Sequence, residues 1–318
     1  MAGKHVIGID LGGTNMQIGV VDASNRVVGR SKKKTRAAEG MEKVIGRIVE
    51  GVEEACKDGK VSMKSVTALG IGAPGAIEPY KGVVLQAPNL RWRDVPLADI
   101  LKKKLKVPVV VDNDVNVAVY GEWKAGAGKG VDHLAGIWLG TGVGGGLILN
   151  GRMYYGHYFT SGEVGHTILL PFAPPGSQKL EENCSRTAVV DRLLRLIRVR
   201  KSIIPELAQG DLSEVRAKTV AMAYEQNDAV THDVIDNAAE MLGIAIANLV
   251  TTLSLPRVVL GGGLTEAMGD DIVKPVREAT RKYVFPDVCK KVEIVATKLM
   301  DNAGLLGAAM MAREKYAK

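Results

Sequence analysis

Short apolar runs broken by glycine turns, repeated in two halves of the chain, constrain the fold more than any other feature. The runs 6–11 and 16–21 flank Gly12-Gly13-Thr14-Asn15. Beyond residue 130 the same grammar returns, with 134–139, the turn Gly140-Thr141-Gly142-Val143-Gly144-Gly145-Gly146, and 147–149. A strand, a glycine turn and a second strand read as an antiparallel hairpin. The repeat predicts an α/β chain of two domains with similar cores, facing each other across a cleft and each offering one glycine turn. Glycine lets a backbone bend sharply and approach a ligand closely. The 37 glycines sit in such clusters, not in linker or collagen-like tracts.

Helical periodicity fills the intervals. Met41, Val44, Ile45, Ile48, Val49, Val52 and Cys56 recur at the spacing of one helix face, and Gly59 stops the run. A third strand is expected at 27–34, buried strands at 68–71 and 107–111, and helices at 97–105 and 116–124. Ala125-Gly126-Ala127-Gly128-Lys129-Gly130 marks a boundary between domains 1–124 and 125–318. Beyond it, helices are expected at 187–200, 212–225 and 230–253, the last apolar on nearly every side and therefore buried. Strands at 257–260 and 292–296 alternate with helices at 271–283 and 303–317, the final one packing back on the N-terminal domain.

A chain with 46% hydrophobic and 24% charged residues can bury a large core, which argues against disorder. No stretch approaches about 18 uninterrupted apolar residues, so no membrane span is expected. Nothing before the first strand reads as a signal peptide. Cys56, Cys184 and Cys289 are odd in number and far apart, which points to a cytoplasmic chain without a disulfide framework. The net charge of +7 is scattered and reads as solvated surface, with no nucleic-acid partner expected.

The chemistry-bearing residues cluster at the predicted strand ends. Asp10 precedes the Gly12-Gly13-Thr14-Asn15 turn, a carboxylate beside backbone N–H groups and a hydroxyl, as a nucleoside triphosphate and its hydrated Mg²⁺ require. Gly140–Gly146 supplies a second such turn, and Gly261-Gly262-Gly263 a third after the 258–260 strand. Neither a Walker P-loop nor a dinucleotide GxGxxG fits, since these turns are expected to lead into strands. Asp112-Asn113-Asp114-Val115-Asn116 ends a buried strand before a helix, where a carboxylate can accept the proton of an attacking sugar hydroxyl. Helix capping by Asp112 or Asn113 accounts for one of these residues. Ser161-Gly162-Glu163-Val164-Gly165-His166 places an acceptor and an imidazole among glycines, a set suited to a polyhydroxylated ligand.

Taken in order, Asp10–Asn15, Ala73-Pro74-Gly75, Asn89-Leu90-Arg91-Trp92, Asp112–Asn116, Gly140–Gly146, Gly162–His166, Gly261–Gly263 and Asp301–Ala309 resemble the motif set of the ROK family. That family contains bacterial sugar kinases and sugar-responsive repressors within the actin-like ATPase superfamily. The resemblance covers nearly the whole chain. It implies two ribonuclease-H-like domains, with mixed sheets flanked by helices around a central cleft. It further implies ATP, Mg²⁺, a homodimer, and phosphoryl transfer to a hexose, most often glucose at the 6-hydroxyl. By position, Asp114 matches the general base, and Gly75, Asn89, Asn113, Asp114, Glu163, His166 and Glu182 match sugar contacts. Asp10, Gly12, Gly13, Thr14, Asn15, Thr141, Gly142, Gly144, Gly262 and Gly263 match the nucleotide side. Asp10 matches the Mg²⁺-associated carboxylate, acting through water.

One segment departs from the family. Most members carry CxCGxxGCxE, whose cysteines bind zinc with the histidine of GxxxGH. Here Ala173, Pro175 and Leu180 stand at the cysteine positions, and Cys184 is out of register. One cysteine and one histidine do not make a closed four-ligand site, so no zinc is expected and His166 must be oriented by a hydrogen bond. Other hexoses remain open as substrates: fructose, mannose, allose or N-acetylmannosamine. Polyphosphate remains open as donor, along the basic runs Lys32–Lys34, Lys102–Lys104 and Arg192–Lys201. A sugar-sensing regulator is the remaining alternative, against which stand Asp114 and the five residues ahead of the first strand.

Overall fold

His5–Leu11 is apolar at nearly every position and becomes a central strand buried on both faces. In the computed structural model, which describes residues 5–316, it pairs antiparallel with Asn15–Val21 and parallel with Val66–Ala73. Among the described residues these belong to a five-stranded sheet ordered Val27–Lys34, Asn15–Val21, His5–Leu11, Val66–Ala73, Val109–Asn113. Alternation along His5–Leu11 points Ile7 and Ile9 to one face, where they join the core of the helix Met41–Asp58. Gly8 points to the other. A Cβ there would strike the Leu305 carbonyl, and one at Gly70 would strike that of Ala308. The helix Ala303–Tyr316 therefore lies on the sheet at backbone contact, which its Ala303-Gly304-Leu305-Leu306-Gly307-Ala308-Ala309 run permits.

The second sheet, again of five strands among the described residues, is ordered Arg152–Met153, Val143–Leu149, Leu134–Leu139, Arg257–Gly261, Glu293–Ala296. Its core is built around Ala229–Leu253, a helix long and apolar enough by length and composition to cross a membrane. Most of its apolar stretch is buried in protein instead. Gly243 admits Ala279 of the helix Asp270–Tyr283, and Ile235, Leu242 and Ile246 lie fully inside.

The chain divides into two compact units. One comprises the chain up to Lys129, Met153–Ser161 and the chain from Asp301 on; the other comprises Gly130–Arg152 and Gly162–Met300. The boundary thus falls after Lys129, not at 124, because the Glu122 carboxylate accepts from the Ala127 amide at 2.6 Å and holds the glycine run against its helix. One further piece of the expected second domain, 153–161, belongs to the first unit, and the residues from Asp301 on belong there as well, with the final helix that was expected to pack on it.

Local differences have local causes. Gly144, Gly145 and Gly146 are not in a turn but pair with Trp138, Ile137 and Gly136 inside Val143–Leu149; only Gly140–Gly142 bend. The third glycine cluster leads into a helix, Gly263–Met268, because Gly262 takes φ +85° and redirects the chain after its strand. The expected helix 212–225 splits into a 3₁₀ turn, Leu212–Glu214, and Ala217–Glu225, since Asp211 and the Arg216–Thr219 pair cap each piece separately. The expected helix 187–200 spans Arg186–Leu196 and starts from a Ser185 cap. The first unit also carries a small sheet, Ala76–Glu78, Val83–Ala87 and Trp92–Val95, which periodicity does not reveal in strands this short. The expectation that no leader precedes the first strand, and the last residue of the expected 303–317 helix, lie outside the described residues.

Candidate active site

In the first unit, Asp10 stands one residue before the end of its strand. Leu11 and Gly12 open the turn, closed by the Gly12 amide donating to the Asn15 carbonyl at 2.9 Å. The Thr35 hydroxyl donates to the Gly12 carbonyl at 2.6 Å, and the Thr35 amide to the Thr14 carbonyl at 2.8 Å. Those carbonyls are thereby tied to the protein, and Thr14 is exposed. Gly13 lies under Asn89, the exposed middle residue of the turn Pro88–Leu90.

Two further carboxylates lie near Asp10. Burial pushes its carboxyl up to about 7, and the negative charges of Asp114 and Asp301 add to the rise. Gly304, in the first turn of the last helix, packs on the Asp10 carboxylate with no side chain between. Among the described residues, no three His, Cys, Asp or Glu side chains group tightly enough to hold a metal ion by themselves.

The junction of Val109–Asn113 with the helix Asp114–Ala125 is bonded at every residue. Asn113 is the helix cap: its Oδ1 accepts from the amides of Val115 at 2.8 Å and Asn116 at 3.1 Å. Its Nδ2 donates to the Gly75 carbonyl at 3.1 Å, joining two residues that the sequence places far apart. Gly75 has φ +95°, and a Cβ there would collide with the Gln86 carbonyl, so this turn needs glycine twice over. Asp114 opens the helix half-buried, its Oδ1 accepting from the Val115 amide at 2.9 Å. Asp112 is buried and points inward. Its carboxylate accepts from the Asn113 amide at 2.7 Å, Asn116 Nδ2 at 3.0 Å and the Tyr155 hydroxyl at 2.6 Å, while burial pushes its carboxyl up to about 6.

In the second unit, the Gly140 amide donates to the Gly142 carbonyl at 2.9 Å, with Thr141 exposed at the tip. Glu181 braces this turn by accepting from the Val143 amide at 3.1 Å, and a Cβ on Gly142 would strike its carboxylate. Gly262 sits against the Leu139 backbone at the start of the same turn, and Gly263 opens its helix into free space. Gly144 lies in the strand, apart from the bend.

Glu163 and His166 lie on the 3₁₀ turn Val164–His166 and its cap, both exposed, with Glu163 Oε2 3.9 Å from His166 Nε2. This contact, at a distance longer than a hydrogen bond, stands where a hydrogen bond to His166 was expected. Gly162, at φ +95°, and Gly165 bring this segment against the strand at Gly145 and Val143. Glu182 accepts from the amides of Lys179 at 2.9 Å and Gln178 at 2.7 Å. Those bonds hold its carboxyl below the usual range, with Lys179 the larger cause and the neighbouring His166 a smaller one. The Gln178 side chain closes the preceding loop onto the carbonyls of Pro171 and Ala173 at 3.2 and 3.0 Å. The Asn183 side chain reaches those of Ser177 and Lys179. Cys184 is buried and donates to the Ala238 carbonyl at 3.4 Å, with burial pushing its thiol up to about 12.

Asp301, Glu181 and Tyr155 are the residues that sequence reasoning left off the site. Asp301 opens a quoted motif and Glu181 adjoins Glu182, so both had a local signal. Tyr155, one of several tyrosines in its segment, had none.

Comparison with known proteins extends these observations. A family model described as the ROK family matches residues 6–315. The chain is 33% identical over 316 residues to a glucokinase of Thermotoga maritima, covering 98% of each protein. It is 31% identical over 325 residues to one of Halalkalibacterium halodurans, covering 99% of this chain and 97% of that one. Its fold matches the crystal structure of a ROK family glucokinase from Streptomyces griseus in complex with glucose and AMPPNP. That match has a TM-score of 0.86 and 31% identity, and covers 98% of this chain and 99% of the other. Motif order, fold and a match running nearly end to end agree: the chain belongs to the ROK family.

Proposed function

We propose that this ROK-family sugar kinase transfers the γ-phosphate of ATP to a hexose, glucose first, at the 6-hydroxyl, with Asp114 accepting the hydroxyl proton. The observation that carries the reading is Asp114 itself. It is a half-buried carboxylate on the first turn of a helix, close enough to Asp10 to raise its pKa. Phosphoryl transfer asks a protein mainly for positioning and charge stabilisation, and for a base placed on the attacking hydroxyl.

The nucleotide side draws on Asp10 and the Gly12-Gly13-Thr14-Asn15 turn in the first unit, and on Thr141, Gly142, Gly262 and Gly263 in the second. Gly144 lies inside the strand that follows this turn, apart from the bend. Mg²⁺ fits the donor set of the first unit. Asp10 is raised by burial and by two further carboxylates, and a cation beside it restores its charge. Among the described residues no three-ligand group would chelate it, so Asp10 would hold the ion through water. When bound, Mg²⁺ supplies charge neutralisation on the phosphate oxygens.

For the sugar, Asn89, Asp114, Glu163 and His166 offer polar groups. Asn113 and Gly75 act by tying the Asp114 turn in place, since the Asn113 oxygen is spent on the helix cap. Glu182 holds the loop before it through two amides and keeps its second oxygen for a ligand. The bonds of Glu182, Gln178 and Asn183 support the shape of this loop. ATP is favoured over polyphosphate because the basic runs are partly spent in ion pairs, Lys33 with Glu50 and Glu54, and Arg200 with Asp233.

The test is ADP release with Mg-ATP across glucose, fructose, mannose, allose and N-acetylmannosamine, repeated with polyphosphate as donor and sugar phosphate as readout. Turnover highest on glucose with ATP is expected. Turnover with polyphosphate alone would overturn the donor, and turnover on another sugar alone would overturn the substrate.

A further inference from the structure

Asp112 is a carboxylate that the proposed chemistry does not use, and it is 1% exposed. Enclosing a charge costs several kcal/mol, and an apolar residue of similar size often gives the more stable protein. Its oxygens are nevertheless fully engaged. Oδ1 accepts from the Asn113 amide and Asn116 Nδ2, the groups that bracket Asp114 in the chain, and Oδ2 accepts from the Tyr155 hydroxyl.

Tyr155 comes from Met153–Ser161, a strap that belongs to the first unit although the chain on either side of it belongs to the second. Three interactions fasten the strap. The Tyr155 ring meets Tyr80 edge-on at 5.9 Å, with Phe159 on the same ring at 5.8 Å, and the Tyr155 hydroxyl reaches Asp112. In sequence the strap runs straight on into Gly162, Glu163 and His166.

We propose that Tyr155 is a positioning residue for Asp114, acting through Asp112 to hold the 112–116 turn in its proton-accepting geometry. The proposal rests on the kinase reading above. Without the Tyr155 hydroxyl, Oδ2 is a buried acceptor with its hydrogen bond gone. The carboxylate then turns to recover a partner and releases the Asn113 amide and Asn116 from Oδ1. A misplacement of about 1 Å at a reacting group can cost about a hundredfold in rate, and a partial shift costs less.

The experiment compares wild type, Tyr155→Phe, Asp112→Asn, the double variant and Tyr80→Leu, measuring kcat, KM for ATP and sugar, and the thermal midpoint. Phenylalanine keeps the ring contacts and removes only the hydroxyl. Tyr155→Phe is expected to lower kcat about tenfold while KM for ATP stays within about twofold, the pattern of an interaction that matters in the transition state. In the Asp112→Asn background the same substitution is expected to change kcat by less than about twofold, since coupled residues are not additive. Tyr80→Leu loosens the ring packing alone and is expected to lower the thermal midpoint with kcat kept.

Should Asp112→Asn fail to fold, the Tyr155→Phe and Tyr80→Leu pair decides. Unchanged kcat in Tyr155→Phe, or an equal loss in Tyr80→Leu, overturns the positioning role while leaving the kinase reading intact. A folded wild type without turnover on any sugar overturns the kinase reading, and the positioning role with it.

Discussion

At the scale of single residues, the site is a set of groups whose ordinary preferences are overridden by their neighbours. Gly75 is the clearest steric case, with a left-handed φ of +95° and the Gln86 carbonyl where a Cβ would stand. Gly75→Ala is expected to destabilise the protein by about 1–3 kcal/mol, read by denaturant unfolding, and to disturb the Asn113 side chain bonded to its carbonyl. Asp112 is the electrostatic case. Its carboxyl is raised to about 6 by burial, above the unfolded value, so the native state binds the extra proton. Its contribution to stability is therefore fully present below the unfolded value and is lost as the pH rises through about 6. Asp112→Asn is expected to flatten the fall in thermal midpoint between about pH 4 and 6. An unchanged slope would show that the carboxyl titrates elsewhere. Asp10, Glu163 and His166 stand near glycines and Asp114 ends a buried strand before a helix, so each carried a local signal as a candidate. The Tyr155 partner of Asp112 was not legible, because a hydrogen bond across 43 positions leaves no trace in local spacing.

At the scale of elements, the long periodic segments announced themselves and the short ones did not. Met41–Asp58 and Ala229–Leu253 follow from their apolar patterns. The strands Ala76–Glu78, Val83–Ala87 and Trp92–Val95 are too short to display a period and are made by pairing with one another. The glycine clusters misled in a specific way. Gly144–Gly146 resemble a turn, yet their smallness serves close packing, since a Cβ at Gly145 would crowd the Gly162 carbonyl and Val164. Asn113 shows how one element boundary carries function, because its side chain both caps the helix bearing Asp114 and ties it to Gly75. Asn113→Ala is expected to cost about 1–2 kcal/mol as a lost cap. Asn113→Ser, which can still cap but cannot reach as far, should recover stability more than it recovers kcat. Equal recovery of both would assign Asn113 to helix stability alone.

At the scale of the whole molecule, the repeated hairpin predicted two similar cores, and each unit does contain a five-stranded sheet among the described residues. The sequence did not show that 153–161 belongs with the first unit, since membership depends on packing between distant segments. The family resemblance suggests a homodimer. The fully exposed Phe172 and the exposed Ile168 on one loop of the second unit are apolar surface that a partner would cover. Light scattering is expected to give about twice the chain mass of 33.9 kDa, and a single-chain mass would contradict the dimer. The most direct test of the central claim is kcat for ADP release with Mg-ATP and glucose, in wild type and Asp114→Asn. The account predicts turnover in the wild type and a loss of about 10²–10⁴-fold in the folded variant, the usual contribution of a general base. A folded Asp114→Asn that turns over at the wild-type rate would contradict it.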